Sequence, residues 1–178
     1  MTPAVHALEA SGLDFRIVEY DHDPAAESYG DEAAEATGAD ASHIFKTLLA
    51  ELPDGEIVVG VVPVVSLLDL KAIARAAGAK KATMADPTVA ERRTGYVVGG
   101  ISPFGQRQRH RTFVDESAEL WDEVYVSGGR RGLEVVVPAE AFPRLLDAEF
   151  VDLGEEFTDM HIMFHHAVSV LILTRNAP

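Results

Sequence analysis

The stretch FKTLLAEL (Phe45–Leu52) is followed by Pro53-Asp54-Gly55 and then by IVVGVV (Ile57–Val62). A Pro-Asp-Gly step is typical of a turn, and β-branched residues on both faces are typical of a strand in the middle of a sheet. The two segments therefore predict a hairpin at the centre of the fold. Further strands are expected both in hairpins and after helices, so the sequence predicts an α/β fold of the α+β type, built on a mixed sheet.

Capping and turn residues predict further elements around this hairpin. Thr2-Pro3 and Asp86-Pro87 each place a capping side chain before a proline, as at many helix starts. The predicted helices run from Thr2-Pro3 to Gly12, over Asp31–Ala36, over Asp69–Ala77, from Asp86 to about Arg93 and over Pro138–Asp147, with a helical turn at Ser117–Trp121. The other predicted strands are Phe15–Tyr20, Lys80–Met84, Thr112–Val114, Val124–Ser127, Leu133–Val137 and Ala167–Thr174.

The composition predicts a single folded domain. The chain has 178 residues, 47% of them apolar, so residues 1–178 are expected to form one domain, with residues 150–178 as an extension to which we assign no role. No apolar run approaches the ~20 residues that span a bilayer, and the first residues lack the features of a signal peptide. We therefore expect a cytoplasmic protein with no membrane partner. The absence of cysteine excludes disulfides and a thiolate nucleophile.

The formal charge of −14 is unevenly distributed along the chain. Residues 1–70 carry 2 basic and 14 acidic side chains, residues 71–131 carry 11 and 7, and residues 132–178 carry 2 and 8. A strongly acidic protein is a poor partner for DNA, but its basic middle segment is either a solvated face or a local phosphate-binding patch. The basic clusters of that segment are Lys80–Lys81, Arg92–Arg93, Arg107, Arg109, Arg111 and Arg130–Arg131.

The segment TGYVVGGISPFG (Thr94–Gly105) holds four of the fourteen glycines. Glycine lets the backbone bend sharply and approach a ligand closely. The segment is therefore either a pair of turns around one strand or a backbone wall that contacts a ligand.

Common catalytic signatures are missing from the sequence. The chain has no GxxxxGK[ST], no GxGxxG after a strand and no HExxH, and Ser102 lacks the second glycine of a GxSxG elbow. His161, His165 and His166 could bring two imidazoles to one helix face, which leaves a metal-dependent hydrolase open although no third ligand is evident. Lys46, the only lysine among the first 70 residues, is either an edge residue with its amine in solvent or a cation directed into a cleft.

Four segments together resemble a known family. They are FKTLLAEL (45–52), VVPVVSLLDLKAIARAAGAKK (61–81), MADPTVAERRTGYVVGGISPFGQRQR (84–109) and VYVSGGRRGLEVVV (124–137). In this order and spacing they resemble the YbaK/EbsC family, whose members are free-standing bacterial editing proteins similar to the editing domain inserted in many prolyl-tRNA synthetases. The likeness extends over about residues 1–150. It implies a curved, partly barrel-like mixed sheet surrounded by helices.

The resemblance assigns site residues by position. Lys46 matches the family's essential lysine, and Gly100 matches the glycine whose backbone approaches the aminoacyl group. The substrate-binding residues that it implies are Tyr20, Thr47, Ile101, Ser102, Ser127, Gly128 and Glu134. Glu134 stands where the family usually has Asp, so its carboxylate is displaced by one methylene. Neither a cofactor nor a metal is implied.

The implied activity is that of a trans-editing aminoacyl-tRNA deacylase, a hydrolase or lyase-like enzyme that removes cysteine from mischarged Cys-tRNA(Pro). Because the chain offers no evident nucleophile, the substrate's own thiol would attack its ester. Lys46 would orient the acceptor end, and backbone N–H groups around Gly100 would bind the carbonyl oxygen. A Gly100→Val chain should then lose activity without unfolding.

The partner implied by the resemblance is the acceptor end of tRNA(Pro). Its phosphates would contact Lys80, Lys81, Arg107, Arg109, Arg130 and Arg131 weakly and in a salt-dependent manner, so prolyl-tRNA synthetase is expected to assist. Two alternatives stay open beside the metal-dependent one. The chain could deacylate Ala-tRNA(Pro) or another aminoacyl-tRNA with water, or it could be a non-catalytic module that binds tRNA or a synthetase.

Overall fold

The fold is built on one mixed sheet of eight strands. The computed structural model describes residues 1–155. Its helices are α1 (Pro3–Ser11), α2 (Tyr29–Thr37), α3 (Leu70–Ala76), α4 (Pro87–Thr94) and α5 (Ala141–Leu146), and its strands are β1 (Arg16–Glu19), β2 (Ile44–Glu51), β3 (Ile57–Pro63), β4 (Leu67–Leu68), β5 (Thr83–Met84), β6 (Thr112–Asp115), β7 (Val124–Arg130), β8 (Leu133–Val137), β9 (Glu149–Val151) and β10 (Gly154–Glu155). Seven strands follow in the order β1-β8-β7-β2-β3-β6-β9, β5 pairs with β2, and β4 pairs with β10 in a separate small sheet.

The central hairpin forms as predicted. Strands β2 and β3 are antiparallel, with Leu48 opposite Gly60, and β3 is buried along its whole length. On their outer sides β2 pairs with β7 and β3 pairs with β6, both in parallel. The mixed character of the sheet is therefore confirmed, and it arises because a local hairpin sits between strands that reach it through crossovers.

Helix boundaries follow the capping residues. The side chains of Thr2 and Asp86 accept a hydrogen bond from a backbone N–H in the first turn of α1 and α4, and a proline follows each of them. Gly95 ends α4 with a φ of 80°, a left-handed conformation that is costly for a residue with a Cβ. This helix end directs the chain into the glycine-rich segment.

The core consists of two apolar layers, one on each face of the sheet. Consecutive residues of a strand point to opposite faces, so Val59 and Val61 of β3 join one layer while Val58 and Val62 join the other. The first layer contains α1, α5 and four buried aromatic rings, those of Phe45, Tyr96, Phe104 and Phe142. The second layer lies under α3 and contains Ile73, Phe113 and Leu153.

Several elements differ from the sequence prediction. The glycine-rich segment contains no strand, because its backbone follows turns such as the one closed by the hydrogen bond from Gly100 N–H to the Val97 carbonyl (2.9 Å). The last helix is shorter than predicted and covers Ala141–Leu146. Strands β4, β9 and β10 were not predicted, because segments of two or three residues carry no periodicity.

Some expectations are not decided by the described residues. Strands β1 and β9 occupy the two ends of the sheet and do not pair with each other within residues 1–155, so the barrel-like curvature stays a prediction. The predicted strand Ala167–Thr174 and the histidines His161, His165 and His166 lie outside these residues, and the extent of the domain stays a prediction as well. In residues 1–155, no helix is long and apolar enough to cross a membrane.

Candidate functional site

A cleft of about 430 Å³ lies between the start of α2, strand β2 and the glycine-rich segment; we call it the α2–β2 cleft. Its lining combines apolar side chains of β2 with a few polar groups from four different elements, which is the usual composition of a ligand site. The lining residues are Glu27, Ser28, Tyr29, Gly30, Ala33, Ile44, Phe45, Lys46, Thr47, Leu48, Leu49, Val64, Met84, Ala85, Pro87, Ala90, Val98, Gly99, Ile101, Ser127 and Glu134.

Lys46 extends from β2 into this cleft. It is half-buried, and it forms no ion pair and no side-chain hydrogen bond within residues 1–155. Burial lowers the pKa of its amine, and the charge of Asp31 on α2 opposes part of that effect. A lysine that is desolvated and has no carboxylate partner is suited to bind an anionic or polar ligand group.

Glu134 and Ser127 come from the β7–β8 hairpin, where they lie opposite each other. The Glu134 side chain is 7% exposed, and burial raises the pKa of its carboxyl group to about 8. At neutral pH this group is therefore protonated and can donate a hydrogen bond into the cleft. The Ser127 hydroxyl accepts a hydrogen bond from the Gly129 N–H (3.2 Å).

Glu134→Gln is expected to remove a pH dependence of the stability. In the wild type the carboxyl ionises near 4.5 when unfolded and only near 8 when folded, so folding favours the protonated form. This contribution is fully present below pH ~4.5 and is lost as the pH rises through ~8. Between pH ~5 and ~8 the free energy of unfolding should fall by about 3 kcal/mol more in the wild type than in Glu134→Gln.

The measurement is urea unfolding at both pH values. Glu119→Gln, a substitution on an exposed residue, is the matched control and should keep the wild-type dependence. Equal pH dependence in wild type and Glu134→Gln would show that the carboxyl ionises normally in the folded protein.

Thr47 contributes a polar atom that has no partner. Its Oγ1 is buried and forms no hydrogen bond within residues 1–155, and the residue is 8% exposed. An unpaired buried hydroxyl costs about 1–3 kcal/mol.

The glycine-rich segment presents Val98, Gly99 and Ile101 to the cleft, whereas Gly100 is not among the lining residues. A Cβ on Gly100 would lie 2.8 Å from the Arg130 Cα, so this glycine is required by the backbone of the neighbouring hairpin. Its N–H is also engaged, in the turn to Val97. By contrast, the N–H groups of Gly99 and Ile101 form no hydrogen bond within residues 1–155.

Three other predicted residues lie away from the lining. Ser102 is fully buried, and its hydroxyl accepts from the Phe104 N–H (3.3 Å). Gly128 packs against the side chain of Leu133: a Cβ added to Gly128 would lie 2.8 Å from the Leu133 Cγ. Tyr20 is half-buried, and burial, with the nearby charges of Glu134 and Glu32, raises the pKa of its phenol to about 12.

The start of α2 forms a wall that the sequence did not indicate. Tyr29 packs on Gly99, where an added Cβ would be 2.6 Å from the tyrosine ring. The Arg131 guanidinium lies 5.1 Å from the centroid of the same ring. The one feature of the sequence that could have indicated this wall is an aromatic residue directly after the helix cap Ser28, because the rest of that segment is typical of a polar loop.

The predicted phosphate-binding residues are divided among several surfaces. Arg131 reaches the rim of the cleft, where its Nη2 donates to the Val98 carbonyl (2.8 Å). Arg130 pairs with Glu19 (2.9 Å) and Arg109 pairs with Asp147. The remaining three, Lys80, Lys81 and Arg107, are exposed and lie outside the cleft lining.

Metal ligands are not assembled in the described part of the chain. No group of three or more His, Asp or Glu side chains that could hold a metal ion occurs in residues 1–155. The cleft offers hydrogen-bond donors, a cation and apolar surface, which suit a polar organic ligand with an anionic part.

Comparisons with known proteins point to one family. A model of the aminoacyl-tRNA editing domain matches residues 23–145. The "Putative Cys-tRNA(Pro)/Cys-tRNA(Cys) deacylase EbsC" of Enterococcus faecalis is 35% identical over 123 residues, which are 69% of this chain and 75% of that protein.

Solved structures agree with this match. The crystal structure of a putative trans-editing enzyme for prolyl tRNA synthetase superposes with a TM-score of 0.74 and 28% identity, over 87% of this chain and 99% of the other. The hypothetical protein APE2540, with a TM-score of 0.77 and 24% identity over 86% and 100% of the two chains, shares the fold.

Proposed function

We propose that this chain, which belongs to the aminoacyl-tRNA editing domain family, removes cysteine from mischarged Cys-tRNA(Pro). Its membership and its similarity to EbsC make it a trans-editing aminoacyl-tRNA deacylase that acts on an aminoacyl-tRNA. Cysteine and tRNA(Pro) are supported by the name of the Enterococcus relative. The observation that carries the chemistry is a cleft that contains a cation and a protonated acid but no nucleophile paired with a base.

The residues that line the cleft provide no nucleophile with a base beside it. No histidine or cysteine lines the α2–β2 cleft within residues 1–155. The Ser127 hydroxyl accepts from the Gly129 N–H but donates to no base within residues 1–155, and the Thr47 hydroxyl forms no hydrogen bond there. A protein nucleophile needs such a base within hydrogen-bond reach, so the attacking atom is best supplied by the substrate.

The cysteinyl group itself carries a suitable nucleophile. Its Sγ bonds to the carbonyl carbon of its own ester, and the bond between that carbon and the terminal ribose oxygen breaks. The thiol proton ends on the ribose oxygen, so the products are uncharged tRNA and a four-membered thiolactone, which water then opens. Such positioning of two groups within one molecule can remove about 7–11 kcal/mol from a barrier.

Residues of the cleft have distinct roles in this scheme. The Lys46 amine binds the ribose-phosphate end and orients the ester. The N–H groups of Gly99 and Ile101 replace that of Gly100 as donors to the carbonyl oxygen, because both residues line the cleft and, unlike the Gly100 N–H, theirs form no other hydrogen bond within residues 1–155. The apolar side chains of β2 limit the access of water.

A synthetase partner fits the charge of the chain. At a formal charge of −14, long-range repulsion weakens the binding of a polyanion, and a second protein that holds the same tRNA would compensate. We propose prolyl-tRNA synthetase as that protein, supported by the structural relative described as a trans-editing enzyme for prolyl tRNA synthetase. The place of action would be the cytoplasm, where aminoacyl-tRNAs are used.

Changing the amino acid on the tRNA tests the proposal. We expect Cys-tRNA(Pro) to be deacylated at least about 100-fold faster than Ala-tRNA(Pro) and Ser-tRNA(Pro), because only the first carries the attacking thiol. The measurement is release of labelled amino acid under identical conditions. Equal rates with alanine would contradict the thiol mechanism and favour attack by water.

A further inference from the structure

We propose that the arginines Arg131, Arg92 and Arg107 form a ridge that carries the phosphodiester backbone of the RNA whose 3′ end occupies the α2–β2 cleft. The inference rests on the proposed function and adds the path along which the RNA leaves the cleft. It follows from three observations: how the ridge is connected to the cleft, which basic side chains lack a carboxylate partner, and where the acidic side chains lie.

Val98 connects the cleft to the ridge. This lining residue accepts hydrogen bonds at its carbonyl from Arg131 Nη2 (2.8 Å) and Nε (3.1 Å). Its N–H donates to Glu91 Oε1 of α4 (2.9 Å). Arg131 and α4 are therefore held on the two sides of the same rim residue.

Helix α4 continues from the cleft to the other two arginines. Pro87 and Ala90, in the first turns, line the cleft, and Arg92 near the end is exposed. Arg107 lies beside this helix end, because its N–H donates to the Thr94 carbonyl (2.8 Å) and its Nη1 to the Arg92 carbonyl (3.4 Å). Eight helical residues span about 12 Å, so Arg92 and Arg107, at the end of α4, lie about that far along the helix from Pro87 at the cleft, where a further phosphate of the chain can reach them.

The ridge arginines lack the ion pairs that three other arginines of this segment form. Arg130 pairs with Glu19, Arg109 with Asp147 and Arg111 with Glu56. Within residues 1–155, no ridge arginine has a carboxylate within ion-pair distance. A phosphate can therefore bind to the ridge without displacing an existing ion pair, unlike at the other three arginines.

The opposite wall of the cleft carries the opposite charge. Glu27, Asp31 and Glu35 are exposed in and before α2, and this side would repel a polyanion. On α4 itself, the carboxylate of Glu91 accepts the Val98 N–H, and that of Asp86 caps the start of the helix. The field across the cleft thus directs a phosphate chain over α4 and away from α2.

The ridge is tested by paired charge reversals. R92E/R107E changes two ridge residues, and R75E/R144E, on α3 and α5, changes two exposed arginines that also lack a carboxylate partner within residues 1–155. Both double variants change the net charge by the same amount. A difference between them in tRNA affinity therefore reports the loss of local contacts and not overall repulsion. The measurement is the affinity for uncharged tRNA(Pro) by fluorescence anisotropy, at salt concentrations between about 50 and 200 mM.

We expect R92E/R107E to weaken binding at the lowest salt at least about tenfold more than R75E/R144E does. The slope of log affinity against log salt should fall by about 1–2, as two phosphate contacts predict. Equal losses in the two doubles, or wild-type binding too weak to measure, would overturn the ridge. Failure of the proposed function would instead appear as absent Cys-tRNA(Pro) deacylation by wild type, in an assay independent of this comparison.

Discussion

Replacing Lys46 by alanine is expected to lower kcat/KM for deacylation of Cys-tRNA(Pro) by about 100-fold or more. Under the proposed function its amine holds the ribose-phosphate end while charge develops on the ester, and losing one such contact removes about 3 kcal/mol of transition-state stabilisation. The measurement is single-turnover deacylation with wild type and variant. Lys71→Ala on α3, an exposed lysine outside the cleft lining, should keep the wild-type rate.

A second substitution at Lys46 separates its effect on activity from its effect on stability. Burial lowers the pKa of Lys46, so the folded state disfavours its charge and carries it only at a cost. Lys46→Met, which keeps the aliphatic stem and removes the charge, should therefore unfold at the same or a higher temperature while it loses activity. A Lys46→Met chain that is destabilised and fully active would contradict both the desolvated amine and its role.

Replacing Gly100 by alanine is expected to destabilise the protein by about 2–3 kcal/mol. The added Cβ would lie 2.8 Å from the Arg130 Cα and 2.9 Å from the Arg131 nitrogen, and backbone atoms of a paired hairpin cannot move aside as a flexible side chain does. Urea unfolding measures the loss. This outcome replaces the sequence-based expectation that a larger residue at Gly100 would abolish activity and leave the fold intact.

Gly12→Ala provides the comparison for Gly100. Gly12 ends α1 at a φ of 70°, and an added Cβ would meet nothing within 4 Å. Its substitution should cost only about 1 kcal/mol, for the left-handed conformation alone. If Gly100→Ala proved as stable as wild type and yet inactive, Gly100 would contact the aminoacyl group after all.

Local sequence determined the elements that position the site. The central hairpin was predictable because a Pro-Asp-Gly turn and two apolar strands lie within twenty residues of each other. The start of α4 at Asp86-Pro87 and its end at Gly95 were predictable because capping depends on neighbouring residues only. The family resemblance came from the same segments, and the matching editing-domain model confirms it.

Tertiary structure alone decided which residues meet in the cleft. Gly99 and Gly100 are adjacent in sequence, yet one lines the cleft and the other packs on the Arg130 backbone. The sequence shows a carboxylate at Glu134 but cannot show the burial that raises its pKa to about 8.

Tertiary structure also decided which charged side chains form ion pairs. The sequence does not distinguish among the basic residues of 71–131. In the fold, Arg130 pairs with Glu19, 111 positions away, whereas Arg131 pairs with no carboxylate of residues 1–155. Capping and turns depend on residues a few positions apart, so a sequence reveals them. Burial, steric contact and ion pairing depend on residues far apart in the chain, and only the folded arrangement brings those together.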